Sequence, residues 1–387
     1  MQALINERTK GAKKKSVQEV LESIDWDFVD AHTQSGAHGI HPYPAKFIPQ
    51  IPQYLISSFH PGNGLAVFDP FCGSGTTLVE AVQANLPAIG LDLHPLATLI
   101  AKVKATPLHR SLMPVAHGVM RAARNGGHAI PDIPNLDHWF KKDIQQALAS
   151  LIAEIGVVEC ADERDALKVA FSSIVVRVSN QESDTRYAAI EKNLTAADVW
   201  PLFMKAVEVL DSAISKSFGG LFGSSPRVTL LNKNILATSA KDIADPVGLL
   251  ITSPPYPNAY EYWLYHKYRM YWLGMDPIGV RKLEIGARPH YFRKNPKTPA
   301  DFLRDMTACF GLFREVMVKG AYACVLIGRS IISGKVINNA DILKESAAAN
   351  GFRLCGQVER AIPNTRKAFN PSHGTINQET LLVFQRT

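Results

Sequence analysis

Ser253-Pro254-Pro255-Tyr256 brings a hydroxyl, a proline-fixed backbone and an aromatic ring to one point, directly after the apolar run VGLLIT at 247–252. Proline holds φ at about −65° and donates no backbone N–H. The Ser253 hydroxyl and the Pro254 carbonyl are therefore two acceptors at which an exocyclic amino group can place both its hydrogens. Its lone pair is then aimed at an electrophile on the far side, while Tyr256 stacks on the base. The tetrapeptide holds no ionisable general base, which suits a weakly basic amine that loses its proton late or to water. Roughly 180 residues earlier, Asp69-Pro70-Phe71-Cys72-Gly73-Ser74-Gly75-Thr76-Thr77 follows the run LAVF at 65–68. Gly73 and Gly75 let the backbone turn tightly and approach a ligand without a Cβ in the way. The lysine of a phosphate loop is missing, and the third glycine of a GxGxxG pattern falls at Leu78. A nucleoside cofactor without a pyrophosphate fits this turn better than a dinucleotide. Asp92 ends the next strand in AIGLD, where a carboxylate can take both ribose hydroxyls; it can also cap the helix starting at His94-Pro95.

Turns of this kind sit at the ends of parallel strands, and the surrounding pattern supplies them. Strand 65–69, glycine turn, helix 76–84, strand 87–92 and helix 95–104 form the βαβ alternation of a parallel sheet. From about 106 to 225 the sequence reads mostly helical, with amphipathic runs at 143–155, 163–178 and 196–215. The strand pattern returns at 227–232, 247–253, 321–328, 352–359 and 379–386. The simplest organisation is one seven-strand α/β sheet with a helical insertion between its second and third strands. That insertion far exceeds the usual α/β connection of about 2–6 residues. It reads either as a unit with its own task or as helices that buttress the sheet. The chain divides into a basic N-terminal segment with a helix capped by Ser16 (1–37), a cofactor-side half (38–105), the insertion (106–225) and a catalytic half (226–387).

Composition narrows the classes. The 387 residues are 46% hydrophobic with a mean hydropathy near zero, and no apolar run reaches the roughly 18–20 residues of a membrane span. The N-terminus is basic (Lys10, Lys13, Lys14, Lys15) but has no apolar core or small-residue cleavage site, so it does not read as a secretory signal. The 5 cysteines, at 72, 160, 309, 324 and 355, show no CxxC spacing. That argues against disulfides and structural zinc and points to a reducing cytoplasm. A net charge of +7 permits a polyanionic partner and equally a solvated basic face.

With these residues in view, the chain resembles the amino-group DNA methyltransferases that depend on S-adenosyl-L-methionine. DPFCGSGTT matches the family's FxGxG-type cofactor turn, and SPPY matches its [DNS]PP[YFW] catalytic turn. The resemblance covers about 30–105 and 226–387. It implies a seven-strand Rossmann-like methyltransferase sheet, S-adenosyl-L-methionine as cofactor and no metal. It also implies a base held by Ser253, Pro254, Pro255 and Tyr256, and a cofactor held by Asp69, Phe71, Gly73, Gly75, Thr76, Thr77 and Asp92. HPYPAKF at 41–47 resembles the cofactor-side segment, which places His41 and Lys46 near the methionine end. Where the family has an acidic residue near the adenine, this chain has Asn234, a departure that loosens that assignment. The serine-initial turn resembles the cytosine-N4 branch more than the adenine-N6 branch. Cys72 lies in the cofactor turn, not the catalytic one, and reads as packing rather than as a nucleophile.

The implied substrate is double-stranded DNA, with the target base flipped out of the stack, and the implied setting is cytoplasmic, without a membrane. A cognate restriction endonuclease is the further partner that such a resemblance raises. Tyr260 and Tyr262, just behind the catalytic turn, are candidates to line the base pocket. Arg288, Arg293 and Lys294 in one basic loop and Arg366 in another are placed to meet phosphates. Asn180 and Arg186 in the insertion, beside Gln181, are side-chain types that read base edges. The rivals are adenine-N6 methylation in the same pocket, a tRNA guanine-N2 methyltransferase, and a silent relative that only binds DNA. Against the tRNA reading stand the serine-initial turn and the absence of room in residues 1–37 for an RNA-binding domain.

Overall fold

The wholly buried strand β1 (Ala66–Asp69) is the axis of the sheet. In the computed structural model, residues 15–44, 46–62, 64–184, 186–218, 226–258, 261–362 and 377–387 are described. Helices α1 (Val17–Glu22) and α2 (Gln50–Phe59) precede β1; α3 (Thr76–Gln83), β2 (Ala88–Asp92) and α4 (Pro95–Ala105) follow it. The insertion holds α5 (Met113–Asn125), α6 (Leu136–Trp139), α7 (Lys142–Gly156), α8 (Ala161–Val178) and α9 (Ala196–Phe218). Then come β3 (Val228–Asn232), β4 (Val247–Thr252), α10 (Tyr262–Tyr265), α11 (Lys267–Trp272), α12 (Pro277–Leu283) and α13 (Pro299–Val316). The C-terminal part holds β5 (Met317–Gly328), the hairpin β6 (Ser330–Ile332) and β7 (Lys335–Ile337), α14 (Asn339–Ala349), β8 (Phe352–Ala361) and β9 (Gln378–Arg386).

Among the described residues the main sheet has seven strands in the order β3-β2-β1-β4-β5-β9-β8. The strands from β3 to β5 pair in parallel, with Val67 opposite both Ala88 and Leu249. β9 runs antiparallel between β5 and β8. The predicted strands are all present, and the short β6–β7 hairpin is an addition. After β1 the chain crosses to β2 on one side, while β4 lies on the other, so the order reverses at β1. Ligands of open α/β sheets bind outside the carboxyl ends of the strands at such a reversal. The glycine turn leaves β1 and the SPPY turn leaves β4, side by side at that place.

Helices α13 and α14 cover one face of the sheet, and their Phe310, Phe313 and Leu343 share a core with Phe68 and Leu250. The opposite face shares one core with α2, α3, α4 and the insertion: Val67 and Leu78 belong to the same buried cluster as Leu148, Phe171 and Phe203. The insertion is thus packed on the sheet rather than standing off it. α1 opens with the expected Ser16 cap, completed by Glu19 as a capping box. It lies on β8, where the Gln18 amide exchanges two hydrogen bonds with the Gln357 backbone (3.1 and 3.0 Å). Asp27 accepts the Ala361 N–H (2.6 Å). The outermost strand is therefore covered instead of left open to pairing. Among the described residues no helix is long and apolar enough to cross a membrane.

Candidate active site

Gly75 caps α3 with φ +83°, and a Cβ there would lie 2.7 Å from Ala101 Cβ on α4. Its lack of a side chain lets α3 start hard against α4. Gly73, also at positive φ, is in the cleft itself, and a Cβ on it would lie 3.4 Å from the Tyr43 ring. Around these glycines opens a cleft. Its wall includes Asp69, Phe71, Gly73, Thr76, Asp92, Asn234, Ser253 and Pro255, with Lys46 and Tyr262 across from them. The two turns, far apart in sequence, thus line one cavity.

Buried carboxylates lock this arrangement. Asp69 accepts the Thr77 hydroxyl (2.7 Å), the Thr252 hydroxyl (2.7 Å) and the Phe71 N–H (3.2 Å). One side chain therefore ties together the end of β1, the start of α3 and the end of β4. Asp92 accepts the N–H of Gly73 (2.8 Å) and of His94 (2.8 Å); the N-cap of α4 is His94, with no side-chain cap bond, so Asp92 holds the turn before the helix rather than capping it as expected. Burial pushes both carboxyls up to about 6, against the pull of these donors. Asn234 accepts the Leu236 N–H (3.0 Å) and sits with Ile235 on the wall beyond Asp92. Lys46 donates to the His38 carbonyl (2.8 Å), and burial brings its ammonium down to about 8.

Several expected residues take other positions. His41 does not line the cleft: its ring lies between the Pro42 carbonyl (2.7 Å) and the Ser172 hydroxyl of α8 (2.9 Å), buried under the insertion. Burial and the neighbouring Arg269 keep it neutral, well below the ordinary histidine range. Thr77 serves Asp69 rather than the cavity. Pro254 is buried behind the wall. Tyr256, expected to stack on the base, is also buried. Its hydroxyl accepts from Ser253 Oγ (3.2 Å) and donates to Glu379 Oε1 on β9 (2.7 Å). Glu379 in turn pairs with Arg360 on β8 (2.5 Å), which also donates to the Trp26 carbonyl (2.9 Å).

The aromatic wall comes instead from Tyr43 and Tyr262, stacked at 6.0 Å between centroids, with His266 behind Tyr43 at 4.9 Å. Tyr43 lay within the HPYPAKF segment that the sequence reading singled out. Glu284, a buried carboxyl on the cavity wall, carried no comparable signal. Asn180 is engaged within the insertion, donating to the His138 carbonyl (3.1 Å). Arg186 is exposed and pairs with Glu182 (2.8 Å). Arg288, Arg293 and Lys294 form an exposed basic loop just after the wall residues Glu284 and Ile285. Tyr260, Arg366 and the lysines at 10, 13 and 14 lie outside the described residues.

A cavity that holds the positive-φ glycine Gly73 and is walled by the carboxyls of Asp69, Asp92 and Glu284 fits a nucleoside bearing positive charge. Comparison with known proteins agrees. Residues 2–102 match the family model described as DNA methylase, N6_N4_Mtase. The Type II methyltransferase M.MvaI of Kocuria varians is 27% identical over 253 residues, 60% of this chain and 56% of that protein. The Type II methyltransferase M.MjaII of Methanocaldococcus jannaschii is 41% identical over 98 residues, 24% of this chain and 18% of that protein. The chain thus spans about half the length of the first of these relatives and less of the second. Among solved structures, TrmN from Thermus thermophilus aligns with a TM-score of 0.33 and 12% identity, over 88% of this chain and 49% of that one, a likeness too slight to argue from. The glycine turn lies inside the segment that matches the DNA methylase model, and the SPPY turn lines the same cleft.

Proposed function

We propose that the protein transfers a methyl group from S-adenosyl-L-methionine to the exocyclic N4 of a cytosine flipped out of double-stranded DNA. The observation that carries this reading is the single cleft walled by Gly73 and Asp92 on one side and by Ser253 and Pro255 on the other. The bound cofactor supplies a methyl group made electrophilic by its sulfonium charge. Asp92 accepts the ribose hydroxyls, Asn234 and Ile235 flank the adenine, and Lys46 faces the methionine carboxylate. Ser253 Oγ accepts a hydrogen of the target amine, and the proton released on methylation leaves to water. Tyr262 and Tyr43 offer the stacking surface that compensates the few kcal/mol of base flipping. The exposed Arg288, Arg293 and Lys294 meet phosphates, which position the duplex without reading it. The insertion, with Arg186 exposed on it, carries target recognition. The Type II designation of both relatives supports a restriction endonuclease as cellular counterpart.

Incubation with labelled S-adenosylmethionine and unmethylated genomic DNA, followed by nucleoside mass spectrometry, tests this directly. N4-methylcytosine is expected. N6-methyladenine would keep the pocket chemistry and overturn the base, and label in tRNA alone would overturn the DNA substrate.

The position of Asp92 adds a pH dependence. Its carboxylate form is the acceptor for ribose hydroxyls, and that form is depleted below about pH 6. Cofactor affinity is expected to fall severalfold from pH 7 to pH 5. Asp92→Asn should bind about tenfold more weakly at pH 7 and lose part of that pH dependence. Calorimetric titration at the two pH values decides; a variant that keeps the full pH dependence would assign it to the other buried carboxyls, Asp69 and Glu284, instead.

A further inference from the structure

Neither signature turn accounts for Glu284. It follows α12, and the next two residues run beside the catalytic turn. Gly286 O accepts the Asn258 N–H (2.9 Å), and a Cβ on Gly286 would lie 3.3 Å from Pro257 Cα. The Glu284 carboxyl is buried on the cleft wall, where the backbone of Tyr262 and Trp263 hydrogen-bonds it. Its Oε2 is fully buried and has no hydrogen-bond partner among the described residues. The charged groups acting on it are the carboxylates of Asp92 and Glu261, with the Tyr43 and Tyr262 hydroxyls nearby. Among the described residues no lysine, arginine or histidine forms an ion pair with it. Burial and these neighbours push the carboxyl up to about 8. A buried acid among acids, with an unpartnered oxygen on a residue that lines a ligand cavity, is costly unless a cation arrives to pair with it.

We propose that Glu284 is the counter-ion for a cationic centre of the bound cofactor. This rests on the cofactor reading above. S-adenosylmethionine carries two such centres, the sulfonium and the α-ammonium. On binding, Glu284 gives up its proton to solvent and the carboxylate pairs with the incoming charge. If the partner is the sulfonium, methyl transfer removes the positive charge and Glu284 loosens its hold on the product. Glu284 is then a residue that favours substrate over product.

Three ligands separate the possibilities: S-adenosylmethionine with both cations, S-adenosylhomocysteine with only the ammonium, and 5′-methylthioadenosine with neither. Each is titrated calorimetrically into the wild-type chain and Glu284→Gln, which retains an acceptor for the Tyr262 and Trp263 backbone. The variant is expected to bind S-adenosylmethionine at least tenfold more weakly and 5′-methylthioadenosine within threefold of wild type. Weakening confined to S-adenosylmethionine identifies the sulfonium; weakening shared with S-adenosylhomocysteine identifies the ammonium. Titrations at pH 7 in buffers of different ionisation enthalpy should show proton release that the variant lacks. Equal weakening of all three ligands, or of none, overturns the proposal while leaving the cofactor reading intact. A wild-type chain that binds none of the three overturns both.

Discussion

Ser253→Ala is expected to lower kcat on DNA about 100-fold while leaving cofactor affinity within twofold of wild type. The reason lies in how the hydroxyl is oriented. Glu379, paired with Arg360, can only accept, so the Tyr256 hydroxyl donates to it. Tyr256 oxygen then accepts from Ser253, which fixes the serine proton away from the cavity. The Ser253 lone pairs are left for the target amine. As that amine attacks, it gains positive charge, and a hydrogen bond to a charged group contributes about 1.5–3 kcal/mol. Each 1.36 kcal/mol is tenfold in rate. Tyr256→Phe keeps the ring and the packing but frees the serine hydroxyl to rotate. It should cost about tenfold in kcat, and less still when Ser253 is already alanine, because the two act as one chain. Single-turnover kinetics with saturating cofactor separates this from DNA binding. A Ser253→Ala enzyme within threefold of wild type would remove the serine from the reaction.

That chain also shows where the sequence stops being informative. The strands were legible because each is an apolar run between glycine and proline punctuation, and the cavity followed because both turns leave neighbouring strands. Gly73, Asp92 and Ser253 could be placed on it from local pattern alone. The role of Tyr256 could not, because its partner Glu379 lies on β9, a strand whose pairing with β5 and β8 no local signal specifies. His41 went astray for a similar reason: Ser172, which holds its ring, belongs to the insertion. Glu284 sits in a stretch that reads as an ordinary charged loop, and only burial against Tyr262 and Trp263 sets it apart. Local pattern fixes elements and their turns; contacts between distant elements decide which polar side chain faces the ligand.

Asp69→Ala should destabilise the protein strongly, and by more at pH 5 than at pH 8. The substitution strips the Thr77 and Thr252 hydroxyls and the Phe71 N–H of their acceptor inside the core. Leaving a buried donor unsatisfied costs about 1–3 kcal/mol each. Against that, the wild-type carboxyl is itself held at a cost. With its folded value raised to about 6 from the ordinary 3.8, the folded state binds more protons than the unfolded state between those values. Its contribution is fully present below about pH 4 and is lost as pH rises through 6. The alanine variant escapes this loss. Integrated from pH 5 to pH 8, the difference is about 1.4 kcal/mol, so the variant's deficit shrinks by that amount. Urea unfolding of both proteins at the two pH values measures it. A deficit equal or larger at pH 8 would mean that Asp69 is stabilised as a carboxylate by more than these three donors. A smaller deficit would confirm it as a strained charge retained because it clamps β1, α3 and β4 together. In that case Asp69→Asn, with one acceptor kept and no charge, should be more stable than Asp69→Ala at both pH values and should recover part of the cofactor affinity that Asp69→Ala loses.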